Sequence, residues 1–356
     1  MNRIIIFFLL LVSYHLLNDK FKIEELFANL KFCNTYKLSN AYRESFLKHD
    51  INLHHGDNWD LYYPCGYSNV ESELKNMKIE NKKIFAIEGC DNIVSKNNLW
   101  KILILKFGRK KASEIMPESF LKSEFDIFLK QYDPKDIYIL KKNLQRKQGL
   151  LLTKDINKIK YYINNDFKII QKYIHNPLLI NNRKINLRLY LLIICHKNKV
   201  NFHFHKKGKC IYTNLDYKNN DLNPERNITS LNITNYIYNN RPESLDELEK
   251  FLGKNKYDLI MNDIIGITKL CCLAIKNNIC KSDNIKNSIR FQLFGLDYVI
   301  DNNLKSYLLE INKGPNMSYK SGKDKELKSK IMSDIIYLLK IDEKPSNYKN
   351  KFIKLL

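Results

Sequence analysis

Two acidic side chains set in apolar, strand-like surroundings restrict this chain more than any other feature. The stretch Phe291 to Asn312, FQLFGLDYVIDNNLKSYLLEIN, reads as two apolar runs joined by Asp301-Asn302-Asn303, whose polarity and tolerance of positive φ suit a turn. With a side-chain period of two, Asp297 shares a face with Leu293 and Val299, while Glu310 and Asn312 share a face with Leu308. An antiparallel hairpin closing near Asn303 sets Asp297 opposite Glu310. Carboxylates so placed repel, and burying an unpaired ion costs several kcal/mol. A cation between them resolves both problems. Two carboxylates and one amide carbonyl make an all-oxygen set, which suits Mg²⁺ sharing its remaining positions with water and nucleotide phosphates. The alternative is a solvent-facing strand pair with incidental acids.

A chain of 356 residues can bury a sizeable core and suggests roughly two or three domains. The net charge of +22 calls for an anionic partner: nucleic acid, a membrane surface, a nucleotide or an acidic protein tail. There is no zinc-finger spacing, no RNA-binding aromatic signature and no long Lys/Arg block, which argues against nucleic acid. The cysteines, at 33, 65, 90, 195, 210, 271, 272 and 280, form no CxxC pair, a pattern that suits reduced thiols in a reducing compartment. The N-terminus points the other way. Met1-Asn2-Arg3 followed by the apolar run from Ile4, extended through Leu17, resembles a signal peptide or short membrane anchor, although no small-residue cleavage site follows. The triplets Asn227-Ile228-Thr229 and Asn232-Ile233-Thr234 match the glycosylation pattern, as chance allows in an Asn-rich chain.

Along the chain, Trp59 to Ser72 is aromatic and turn-rich, and Asn97 to Lys111 suits a buried helix. Ser123 to Tyr132 reads as an amphipathic helix stopped by Asp133-Pro134. Ile137 to Leu140 is a short strand; Lys141-Lys142, a polar loop to Gln148, Gly149 and the strand Leu150 to Thr153 follow. A loop rooted at a lysine between two strands can close over phosphates, although an ordinary basic hairpin looks the same. A helix over Asp155 to Asn165 and a strand over Phe167 to Ile174 come next. Lys184 to Ile194 alternates so that Lys184, Asn186, Arg188 and Tyr190 share one face, with Ile185, Leu187, Leu189 and Leu191 on the other. Such a strand belongs inside a sheet, and its cationic face should look into a cleft that takes phosphate or carboxylate. In Phe202 to Tyr212, His203 and His205 share a face and read as ordinary exposed residues without a third metal ligand. Asp216 to Lys256 is a polar loop with short helical pieces, Asp258 to Cys280 an amphipathic helix, Asp324 to Leu339 a closing helix, and the basic tail beyond Lys340 is solvated.

Pro117-Glu118-Ser119-Phe120, QKYI followed by NPLLI from Gln171 to Ile180, Lys184 to Arg188, and FQLFGLDY followed by LLEIN stand in an order that resembles the tubulin-tyrosine ligase family. The resemblance covers Leu99 to Leu339. It implies an α+β ATP-grasp fold with a small N-terminal α/β domain at 19–96, a central ATP-grasp domain at 97–173, a C-terminal ATP-grasp domain with the metal site at 174–345, and a basic tail at 346–356; residues 1–18 are, from their own composition, either a signal peptide or anchor or an apolar start packed on the domain.

The resemblance assigns Lys141 to the ATP phosphates and Gln171, Lys172, Tyr173 and Ile174 to an adenine hinge. It pairs Lys184 and Arg188 with phosphate and the acceptor carboxylate, Thr234 and Asn235 with the triphosphate, and Lys101 loosely with a further phosphate. Asp297, Glu310 and Asn312 match the magnesium ligands. The implied reaction is ATP-dependent, Mg²⁺-assisted addition of a free amino acid (tyrosine, glutamate or glycine) to a carboxylate of tubulin or another acidic tail, in the cytoplasm or on the cytoskeleton. The alternative is a nucleotide-binding scaffold of weak or no activity that binds microtubules or acidic partners. Three departures stand out: Asn186 replaces a family Asp, a glycine-rich loop is reduced to Gly149, and a family Arg on the later strand is matched by Lys206. Asn brings no negative charge, and Lys lacks the planar fork of Arg.

Overall fold

The computed structural model describes residues 29–32, 38–54, 58–64, 72, 74, 77, 79–143, 149–283, 285–343 and 345–356. The N-terminal run through Leu17, Cys33, Cys65 and residues 144–148 of the loop after Lys142 lie outside the described residues. Among the described residues no helix is long and apolar enough to cross a membrane.

The described chain begins with strand β1 (Asn29–Phe32), helix α1 (Asn40–Lys48) and strands β2 (Asn52–His54), β3 (Leu61–Tyr63) and β4 (Lys83–Ile84), followed by helices α2 (Cys90–Val94) and α3 (Lys96–Ile115). A small sheet follows, with β5 (Ser119–Leu121), helix α4 (Phe125–Gln131), β6 (Tyr138–Lys141), β7 (Leu150–Thr153), helix α5 (Ile156–Asn165) and β8 (Ile169–Lys172). Its order is β5-β8-β6-β7, and every pairing within it is antiparallel. Helices α4 and α5 cover it through Phe128, Ile159 and Ile163, which pack with Phe120, Tyr138 and Ile170. Asp155 starts α5 as read from the sequence, its carboxylate accepting from the Asn157 and Lys158 amides at 2.8 and 3.3 Å.

The rest of the chain builds the large sheet: β9 (Leu179–Ile180), β10 (Arg183–His196), β11 (Lys199–Tyr212), β12 (Ile289–Ile300), β13 (Ser306–Lys313) and β14 (Phe352–Lys354). Helices α6 (Pro224–Asn227), α7 (Leu245–Leu252) and α8 (Lys254–Ile275) lie between β11 and β12, and α9 (Gly322–Leu338) follows β13. The spine runs β14-β11-β10-β12-β4-β3-β1-β2, so the N-terminal strands continue the same ten-stranded sheet through the parallel pairing of β4 with β12. β12 carries β13 beside its C-terminal half and β4 beside its N-terminal end.

Strand β10 is flanked by β11 and β12 along nearly its whole length, which is why its sequence is so apolar. Ile185, Leu187, Leu189, Leu191 and Ile193 enter a core with Trp100, Leu103, Ile264 and Cys271 from α3 and α8. The opposite face is divided. Its second half, from Tyr190 to Leu192, is covered by α1, α9 and β3, whereas Lys184, Asn186 and Arg188 face a cavity.

Three expectations are corrected, and the chance reading of one glycosylation triplet holds. Phe352 and Leu355 are buried and β14 pairs with β11, so the C-terminal segment is an edge strand of the sheet and not a solvated tail. His205 is fully buried, its Nε2 3.0 Å from Asp334 Oδ2, because α9 closes over that face. Cys195 and Cys280 are joined as a disulfide, since the end of β10 lies beside the segment that leaves α8; Cys90, Cys210, Cys271 and Cys272 are free and buried. Asn227 is 3% exposed, and its side-chain amide is committed to the Asp221 and Asn223 carbonyls, which removes it as a glycosylation acceptor.

Candidate active site

Between the two sheets lies a cavity of about 700 Å³, a size that suits a small-molecule ligand. Its lining comes from both sides: Lys141, Gln171, Lys172, Tyr173 and Ile174 from the small sheet, and Lys184, Asn186, Arg188, Asp297, Glu310 and Asn312 from the large one. Residues scattered over nearly half of the chain therefore converge, as the resemblance implied.

The hairpin pairs Asp297 directly with Glu310. The register shifts just after this pair, with Tyr298 facing Leu308, so Leu309 is bulged out and the acids stay on one face. Arg188, which faces Asp297 across β10 and β12, grips that carboxylate with Nε on Oδ1 and Nη2 on Oδ2 at 2.8 Å. Lys96, the first residue of α3, lies 3.3 Å from Glu310 Oε2. Thus the protein's own cations offset the repulsion that the sequence alone left to a metal. Asn312 Nδ2 lies 3.3 Å from Asp297 Oδ2 and 3.0 Å from Glu310 Oε1, so both carboxylates converge on one amide. Turned end for end, that amide would complete three oxygens, a donor set that fits a hard divalent cation. Among the described residues no group of three or more His, Cys, Asp or Glu side chains is gathered, so the set is two acids and an amide.

Burial pushes the Asp297 carboxyl up, against the pull of Arg188. For Glu310, burial is outweighed by Lys96, Asn312, Lys141 and Arg188, which hold its carboxyl down at about 2. The lysines show the cost of desolvation more plainly. Burial lowers Lys141 to about 8, and burial together with Lys141 lowers Lys184 to about 7. Lys184 Nζ donates to Tyr173 Oη at 3.0 Å and to the Asn227 carbonyl at 3.1 Å, and lies 4.2 Å from the centre of the Tyr173 ring. The expected hinge is anchored from behind. Gln171 is 1% exposed, its amide donating to Ser119 Oγ at 2.9 Å and the Pro117 carbonyl at 3.3 Å, while the Lys172 and Tyr173 amides donate to the Glu118 and Ile137 carbonyls.

Several assignments move. Lys101 is exposed on α3 and does not line the cavity; Lys96, one and a half turns earlier, does. Lys206 is exposed as well, because residues 206–208 bulge out of β11 opposite Leu189. After the bulge Lys209 faces Arg188 and lines the cavity, pairing with Glu243 at 3.1 Å and Asp324 at 3.2 Å. Thr234 is exposed outside the lining, and Asn235 opens a short 3-10 helix, Asn235–Tyr238, its side chain outside what the structure describes. Lys96, Asn227, Thr229, Lys209, Glu243 and Asp324 line the cavity and carried no site assignment in the sequence, Asn227 and Thr229 having stood out only as a glycosylation triplet.

Comparison with known proteins agrees with this geometry. The model of the Tubulin-tyrosine ligase family matches residues 73–348. The probable tubulin polyglutamylase ttll-9 of Caenorhabditis elegans is 24% identical over 320 residues, covering 81% of this chain and 75% of its own. The probable tubulin polyglutamylase TTLL2 of Homo sapiens is 28% identical over 208 residues, covering 55% of this chain and 34% of its own. The tubulin polyglutamylase TTLL5 of Mus musculus is 27% identical over 250 residues, covering 63% of this chain and 18% of its own. The chain thus spans three quarters of the first relative's length and well under half of the other two. A family match over most of the sequence, on a mixed α+β fold that brings most of the expected residues into one cavity, establishes that this chain belongs to the tubulin-tyrosine ligase family and is a ligase of that type.

Proposed function

We propose that this ligase uses ATP to join the amino group of free glutamate to a carboxylate of an acidic protein tail, that of tubulin being the first candidate. The observation that carries the reading is a single one: the Asp297–Glu310 pair and the cations Lys141, Lys184 and Arg188 line the same cavity. Acids converging beside a row of cations suit a triphosphate and its metal better than any uncharged ligand. Glutamate is proposed because the relatives named above are polyglutamylases; the net charge of +22 supports an acidic acceptor.

In this reading an oxygen of the acceptor carboxylate attacks the γ-phosphorus, the bond to the bridging oxygen breaks, and ADP leaves with the electron pair. The deprotonated amine of glutamate then adds to the carbonyl carbon of the acyl phosphate, phosphate leaves, and the amine's second proton passes to solvent as the amide forms. No protein nucleophile is needed. The chain supplies position and charge: the hinge from Gln171 to Ile174 holds adenine, Lys141 and Lys184 neutralise the triphosphate, and Arg188 aligns the γ-phosphate with the acceptor. Asp297, Glu310 and Asn312 would hold Mg²⁺, which when bound supplies further neutralisation of phosphate charge.

Incubating the purified protein with ATP, Mg²⁺, tubulin and each labelled amino acid in turn tests the proposal. Incorporation of glutamate is the expected result. Intact nucleotide binding with no transfer of any amino acid would overturn it in favour of a scaffold.

A further inference from the structure

The β10 face that meets the cavity offers, besides Asn186, a group which the reaction above does not use. Tyr190 is 2% exposed, its ring packed in the cluster with Tyr42, Tyr63 and Met317, yet it lines the cavity, and among the described residues its hydroxyl has no hydrogen-bond partner. The hydroxyl is not among the buried polar atoms left without a partner, so it opens to the cavity and is available to a ligand there. Two residues back on the same face, Arg188 spends Nε and Nη2 on Asp297, and its Nη1 likewise has no partner among the described residues. Side chains at this spacing on a strand stand roughly 6.5–7 Å apart, near enough for one small anion to meet both.

Direction along β10 says which anion. Lys184 sits beside the Tyr173 hinge, Arg188 lies across from Asp297, and Tyr190 is the next cavity-facing residue, farther from the hinge. Beyond the acids the lining changes to Tyr42, Tyr63, Asn316 and Lys320, which no adenine or phosphate position requires. Gly295 lies opposite Tyr190 on β12; a Cβ there would sit 3.2 Å from both Arg188 Cδ and Pro315 Cβ, so the glycine leaves room for the Arg188 side chain at this point. We propose that Tyr190 is a positioning donor for the reacting carboxylate, its hydroxyl holding one oxygen while Arg188 Nη1 holds the other. Burial pushes the Tyr190 phenol well up, so it remains a donor throughout the working pH range. The inference rests on the ligase reading and names the group that presents the acceptor to the γ-phosphate.

Tyr190→Phe tests it, since the ring and its packing are retained. Against a glutamate-rich acceptor peptide the variant should lose about 10- to 100-fold in kcat/KM, with ADP affinity and melting temperature unchanged. A second arm measures binding of the same peptide to the ADP-loaded protein, which should weaken about tenfold and is readable without turnover. If the wild type transfers no amino acid, the ligase reading fails while this arm still decides the role of Tyr190. Kinetics and peptide affinity within twofold of wild type would overturn the inference, as would a parallel loss of ADP affinity and melting temperature, which marks a purely structural role.

Discussion

Asp297 and Glu310 face one another, yet each is matched to a different cation, Arg188 for the first and Lys96 for the second. Replacing Glu310 by Gln removes one anionic donor, and the Lys96 ammonium it leaves behind is 7% exposed. Turnover should drop by at least about 100-fold, the order seen when charge-stabilising groups are removed, while circular dichroism stays native; unchanged turnover would contradict the assignment of the acid pair to the metal. Lys141 and Lys184 make a second prediction. In the free protein burial holds them at about 8 and about 7, and a bound triphosphate, bringing negative charge, must raise both. Nucleotide binding therefore takes up protons above neutral pH. Affinity should be greatest below pH 7 and weaken as pH rises through 7 and then 8, by up to roughly tenfold per pH unit for each lysine. Calorimetry of ADP binding from pH 6 to 9 measures this directly, and Lys184→Met should remove the first component.

At the scale of elements, the bulge in β11 determines which lysine the cavity receives. Between the pairs Arg188 with Lys209 and Tyr190 with His205, the strand takes up residues 206–208, and a strict alternation drawn through Phe202 to Tyr212 fails there. Gly208 permits the bulge by close approach: a Cβ would lie 2.6 Å from Leu189 Cδ2 and 2.7 Å from the Arg188 carbonyl. Gly208→Ala should cost about 1–3 kcal/mol in urea unfolding, the usual penalty of overpacking, and should lower activity further by shifting β11 against Arg188. An unfolding midpoint equal to wild type would show that the bulge tolerates a side chain. In β12 and β13 the polar turn and the two apolar runs were legible from the residues, but the bulge at Leu309, which brings Glu310 opposite Asp297 and leaves Leu308 on the core side with Tyr298, was not.

For the whole molecule, charge separates two binding events. Under the proposed function only the reacting carboxylate of the acidic acceptor enters the cavity, where Lys141 and Lys184 are each 6% exposed, while the rest of the tail meets the exterior of a chain of net charge +22. Exposed charges are screened within about 8 Å at physiological ionic strength, and buried ones much less. KM for a glutamate-rich peptide should accordingly rise several-fold as salt increases, with a smaller change in the dissociation constant of ADP. Equal salt dependence for the two ligands would show that the exposed cations add nothing to recognition of the acceptor tail.

Local information carried far in this chain. Alternation placed Lys184, Asn186, Arg188 and Tyr190 on a single face, and turn chemistry folded Phe291 to Asn312 into a hairpin, because strand period and turn preference act over a few residues and are written directly in the residue order. Tertiary packing alone decided the partners. Lys96 reaches Glu310 across most of the chain, β14 returns to the edge of β11 after α9, and His205 is sealed by Asp334, contacts that depend on how layers stack and have no signature in any short window. A strand can announce which side of it is charged; what that charge faces is settled only when the second sheet closes over it.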